Sequence, residues 1–245
     1  VYWYAILHLL SKIHIRSQCE GAECVVVSVD YRLGPENPYP AAVQDAVEAL
    51  EWVYSNGKAE LGIDRSRIAV GGSSAQVPCS ILCYLYGSYY SLFRGGNLAA
   101  IVSLKSATLS PPIPIQLQLL VVPVVDNTAT ISDGCYASWR ENAETAWLPA
   151  AYMIWFRDHY LPNIEDRVKW DNSPIFAPED LVANAPRAWI AVAEMDILRD
   201  EGIAYAAKLK KAGVEVAVKV YEGAPHPILV LDGKCALINE PKESR

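Results

Sequence analysis

Residues 67–75 read Arg67-Ile68-Ala69-Val70-Gly71-Gly72-Ser73-Ser74-Ala75. A short apolar run that ends in a glycine pair and small residues predicts a strand buried on both faces, followed by a tight turn. Upstream, Cys24 to Asp30 (CVVVSVD) is a second β-branched run of the same type. Between the two, the breakers Gly34, Pro35, Pro38 and Pro40 give way to Ala42, Val43, Ala46, Val47, Leu50, Val53 and Tyr54 at helical spacing. That pattern predicts an amphipathic helix over 41–55, opened near Pro40 and stopped at Asn56-Gly57. Downstream, 98–107 reads as a helix, 116–122 as a strand stopped by Pro123, and 188–193 as a strand. Asp200-Glu201 opens a further helix that Lys208, Lys210 and Lys211 close, with Gly213 as its cap. Val214 to Tyr221 alternates and predicts a strand with one wetter face. Strands alternating with helices define an α/β fold: a doubly wound, mostly parallel sheet with helices on both faces.

The chain has 245 residues, of which 52% are hydrophobic and 20% charged, enough apolar material for one full core. Net charge is −7, and no Lys/Arg run is present, which argues against a nucleic-acid partner. No stretch reaches the about 18 apolar residues of a membrane span, so no stable membrane insertion is expected. Six cysteines at 19, 24, 79, 83, 135 and 235 form neither a disulfide framework nor a zinc spacing, and read as buried or partly buried thiols. Together with the lack of a signal sequence they lean toward the cytoplasm. Residues 1–23 find no place in the βα pattern. Residues 130–175 carry Trp139, Trp147, Tyr152, Trp155, Phe156, Tyr160 and Trp170 among polar residues, and read as a helical, cap-like segment over the sheet. It is either ordinary amphipathic packing or a lid whose Trp147, Tyr152 and Trp155 line a substrate pocket.

In open α/β sheets the reactive groups lie in loops at the carboxyl ends of the strands. Ser74, Asp196 and His226 each fall just after a predicted strand. A serine hydroxyl needs a base to take its proton, and the base needs a third group to fix its tautomer. Ser, then Asp, then His is the chain order of that triad when the serine sits on a strand-to-helix elbow. Gly72 supplies the first glycine of a G-x-S-x-G elbow; Gln76 stands at the second. His8, His14 and His159 lack such a placement. Asp200 competes for the acid role but reads as a helix N-cap, so Asp196 is preferred.

Several stretches resemble the hormone-sensitive-lipase-like branch of α/β-hydrolases, which includes arylacetamide deacetylase and related esterases. They are VSVDYRLGPENPYPA at 27–41, RIAVGGSSA at 67–75, GNLAA at 96–100, WFRDHYLP at 155–162, DILRDEG at 196–202 and YEGAPHP at 221–227. The resemblance implies a single α/β-hydrolase domain that hydrolyses carboxylic esters of small or medium acyl or aryl groups, without metal or cofactor. It places the nucleophile on Ser74, the acid on Asp196, the base on His226, and one oxyanion donor on the backbone N–H of Ala75. An amidase or deacetylase reaction would use the same groups.

Two departures from the family pattern stand out. The elbow runs Ser74-Ala75 and then through 76–94 before Gly95-Gly96-Asn97-Leu98-Ala99; without 76–94 it would read GGSSAGGNLAA. The segment is a translated intron, a replacement helix or a surface insertion. The family's His-Gly-Gly-Gly oxyanion loop is also missing, and His8-Leu9-Leu10 is not that motif. Together these suggest a fungal-type gene model with a missing N-terminus and an insertion. Losing an oxyanion donor costs on the order of 10²–10³ in rate. An inactive or non-catalytic ligand-binding protein on the same fold is therefore the alternative, and a misassembled, unstable fragment is a third reading.

Overall fold

Among the described residues six strands, Ala5–His8 (β1), Val25–Ser28 (β2), Ile68–Ser73 (β3), Leu117–Val121 (β4), Arg187–Met195 (β5) and Val216–Pro225 (β6), form one sheet in the order β2-β1-β3-β4-β5-β6. Every pairing is parallel. The computed structural model describes residues 5–8 (backbone only), 24–73, 95–226 and 228. Residues 5–8, for which the sequence pattern offered no place, are thus a central strand, with His8 in register with Ser28 on one side and Gly71 on the other.

The main helices are Ala41–Leu61 (α1), Gly95–Lys105 (α2), Ala137–Glu141 (α3), Ala150–Tyr160 (α4), Glu179–Ala183 (α5) and Arg199–Lys211 (α6). The crossovers β2-α1-β3, β3-α2-β4 and β5-α6-β6 all step across the sheet in one direction. Right-handed crossovers in one direction place their helices on one face. Accordingly α1 (Leu50, Val53), α2 (Ala99, Val102) and α6 (Tyr205, Leu209) share one buried cluster with Ile68, Val70, Leu120, Ile190 and Val192 of the sheet. On the opposite face Val121, Ala191 and Ala193 pack with Ala224 and Ile228. The step from β1 to β2 runs the other way, so the strand order reverses between β1 and β3, where ligand crevices form in such sheets.

Helix α1 runs past the expected stop at Asn56-Gly57. Gly57 is buried inside the helix because a Cβ there would lie 2.5 Å from Cδ1 of Ile63. The true stop is Gly62, left-handed at φ 67°, whose N–H returns to the Gly57 carbonyl. Between β4 and β5 the chain holds α3, α4, α5 and short 3₁₀ turns. Leu148, Ala150 and Met153 pack with Trp139, Ile197 and Leu198, which seats this segment on the loop after β5. No described helix is long and apolar enough to cross a membrane. Of the two cysteines described as free thiols, Cys24 is buried, whereas Cys135 is exposed, contrary to the expectation for it.

Candidate active site

The carboxyl ends of β5 and β6 bring two of the expected residues together. Met195 pairs with Pro225, so Asp196 and His226 are the next residues on adjacent strands. Their side chains meet with Asp196 Oδ2 and His226 Nδ1 2.8 Å apart, and both residues are fully buried. A carboxylate only accepts, so Nδ1 carries a proton, and in the neutral ring the lone pair then lies on Nε2. That is the tautomer a general base needs. The second oxygen of Asp196, Oδ1, accepts the Leu198 N–H at 3.1 Å, which fixes the carboxylate plane.

The loop around Asp196 is held by α3 and the turn after it, and sequence reasoning missed this. Asn142 Nδ2 donates to the carbonyls of Glu194 and Asp196, Thr145 Oγ1 to that of Met195, and Ser138 Oγ to that of Ile197. These are side-chain bonds to backbone across 50 residues or more, and no spacing pattern announces them. Asp200 is not the N-cap of α6. The helix opens at Arg199, and the Asp200 carboxylate accepts the Ser138 N–H and Arg199 Nε. Burial raises its pKa, but these partners outweigh it and hold Asp200 below the usual carboxylate range. Behind the loop, Glu201 is fully buried, with Oε1 accepting from Val125 N–H and Oε2 from Trp139 Nε1. Desolvation outweighs these bonds and pushes Glu201 up to about 8.

Strand β3 ends at the buried Ser73. Ser74 and Ala75, the expected nucleophile and oxyanion donor, lie outside the described residues, as does the 76–94 segment. The flanks of that gap are close together. A Cβ on Gly72 would lie 2.0 Å from the Gly95 carbonyl oxygen, so β3 and the start of α2 touch backbone to backbone. Asn97 in the first turn of α2 is fully buried and donates to the carbonyls of Val124 and Asn172, tying that turn to the segment beyond β4. Of the expected pocket aromatics, Trp147 is half-buried with φ at 80°, while Tyr152 and Trp155 are exposed on α4. Trp155 stacks against His159 at 4.1 Å between ring centroids.

A parallel sheet with this strand order and an aspartate–histidine pair beyond adjacent strands defines an α/β-hydrolase. The chain belongs to that family, in its hormone-sensitive-lipase-like esterase branch: the alpha/beta hydrolase fold model matches residues 11–75 and 94–230. It is 46% identical over 215 residues to an AB hydrolase superfamily protein of Schizosaccharomyces pombe, covering 87% of this chain and 57% of that one. It is 37% identical over 202 residues to a carboxylesterase of Mycobacterium tuberculosis, covering 82% of this chain and 55% of that protein. A thermostable esterase from Pseudomonas putida superposes with a TM-score of 0.76 at 34% identity, over 92% of this chain and 66% of the other. The chain therefore spans little more than half the length of the curated relatives it matches.

Proposed function

We propose that the chain is a serine hydrolase that cleaves carboxylic esters of small or medium acyl or aryl groups through Ser74, His226 and Asp196. The observation that carries this is the buried Asp196–His226 pair at 2.8 Å, in register at the carboxyl ends of β5 and β6. The esterase relatives support it. In this reading Ser74 attacks the ester carbonyl while His226 Nε2 takes its proton. Asp196 holds the imidazole and stabilises the imidazolium. His226 then protonates the leaving alcohol, and water, activated by the same base, releases the acid. The Ala75 N–H stabilises the oxyanion. Trp147, Tyr152 and Trp155 wall the acyl or alcohol side.

The 76–94 segment is an addition to a βα turn that needs only Ser74 and Ala75 between Ser73 and Gly95. The Gly72–Gly95 contact supports this, as does the family match, which leaves 76–93 unmatched. Sequencing the transcript across Ala75–Gly95 separates a retained intron from a coded insertion. The alternative is a ligand-binding protein. One observation favours it: β1 ends at His8 beside the switch point, and the sequence continues Leu9-Leu10 where the esterase family carries a glycine run.

Hydrolysis of p-nitrophenyl esters of graded acyl length by the chain, by a Δ76–94 form and by Ser74→Ala in that form decides between them. The expected result is activity that rises on deletion and is abolished by Ser74→Ala. An inactive Δ76–94 form, or full activity in Ser74→Ala, overturns the esterase reading.

A further inference from the structure

His226 reaches Asp196 only because β6 is longer than the strand it pairs with. Ala193 pairs with Tyr221 and Met195 with Pro225, so the single residue Glu194 faces Glu222, Gly223 and Ala224. In a register unbroken from Ala193–Tyr221 onward, Asp196 would stand opposite Ala224, and His226 would overshoot it by about 6.6 Å. A two-residue bulge also keeps side-chain parity, so His226 still points to the face its register requires. Such a bulge leaves a backbone N–H off the ladder. Here Gly223, left-handed at φ 64°, turns its N–H to Glu194 Oε2 at 2.6 Å. Glu194 is itself fixed, since its carbonyl accepts from Asn142 Nδ2 and Arg199 Nη1. Its side chain is solvent-exposed and touches no expected reacting group, so nothing in the triad reading uses it.

We propose that Glu194 is a positioning residue that closes the β6 bulge through the Gly223 N–H and thereby sets His226 against Asp196. The proposal rests on the triad reading of the site. A carboxylate accepting a backbone N–H is a charge-assisted bond, stronger than its neutral counterpart, and this one stands where the strand would otherwise slip. Gln retains an acceptor oxygen at the same reach, whereas Ala removes it. Gly223→Ala tests the bulge from the other strand: a Cβ there meets nothing within 4 Å, so only the left-handed backbone is disturbed.

The experiment compares Glu194→Ala, Glu194→Gln and Gly223→Ala in the full chain and in the Δ76–94 form, with Ser74→Ala and His226→Ala as references. Steady-state ester kinetics are read beside the ¹⁵N-resolved His226 Nδ1–H signal. Glu194→Ala and Gly223→Ala are expected to lower kcat roughly 10- to 100-fold with KM little changed, and to shift or broaden the Nδ1–H signal. Glu194→Gln is expected to recover most of the rate and the signal. Unchanged kcat and signal in Glu194→Ala, or a Gln variant as impaired as Ala, overturns the proposal. Full hydrolysis by Ser74→Ala and His226→Ala would instead remove the esterase reading. The Nδ1–H signal would then still decide the bulge: lost in Glu194→Ala it stands, unmoved it falls.

Discussion

The two halves of the site are built by different means. The acid–base half is a matter of register: β5 and β6 run side by side, a bulge trims the difference in length, and α3 and the turn after it tie down the loop between strand and helix. In the proposed triad the nucleophile half rests on a single close approach, Gly72 against Gly95, the residues that flank 74–94. Redundant hydrogen bonds tolerate the loss of one member. A backbone-to-backbone contact has no such reserve, because neither partner can rotate away.

The sharpest way to break the contrast is to add a side chain at residue 72. Gly72→Val places carbon where the Gly95 carbonyl stands and must drive β3 and α2 apart. A loss of about 3 kcal/mol in urea unfolding is expected, at the upper end of overpacking costs. Unchanged stability would show that the two backbones are free to separate. A second effect, no more than about 1.4 kcal/mol per pH unit for one group, comes from Glu201 beneath the acid loop. Its folded pKa, about 8, is raised above the unfolded value near 4.5. The folded state therefore holds the proton more tightly, and its stability falls as pH rises from about 4.5 to about 8. Glu201→Gln removes that slope, so the variant gains on the wild type across the window. Parallel urea midpoints for the two proteins from pH 5 to pH 8 would contradict it.

Much of this was legible in the sequence, for identifiable reasons. Strands β3, β4, β5 and β6 announced themselves through apolar runs closed by Gly, Pro or acid residues. Asp196 and His226 were readable because each follows such a run in the order a triad needs. Strand β1 was not, since Val1 to Leu10 is apolar but for His8 and carries no Gly or Pro to mark where a strand starts or stops. The end of α1 was misplaced because Asn56-Gly57 looks like a stop, while the burial of Gly57 against Ile63 appears only in three dimensions. Asp200 resembled a cap because it is acidic and close to a helix start; its partner Ser138 is 62 residues away. The β6 bulge escaped notice because it falls just after the alternating run VEVAVKVY, at 222–224, where Gly223 is its local trace.

The central claim is that the chain carries one activated serine, Ser74, and that the Asp196–His226 pair activates it. Fluorophosphonate labelling followed by peptide mass spectrometry tests this directly, because the reagent reacts with an activated serine and the fragment spectrum names the residue. The account predicts a single adduct on Ser74 in the Δ76–94 form, lost in His226→Ala and much slowed in Asp196→Asn. An adduct on Ser73 or another serine, or one on Ser74 that persists at the same rate in His226→Ala, would contradict it.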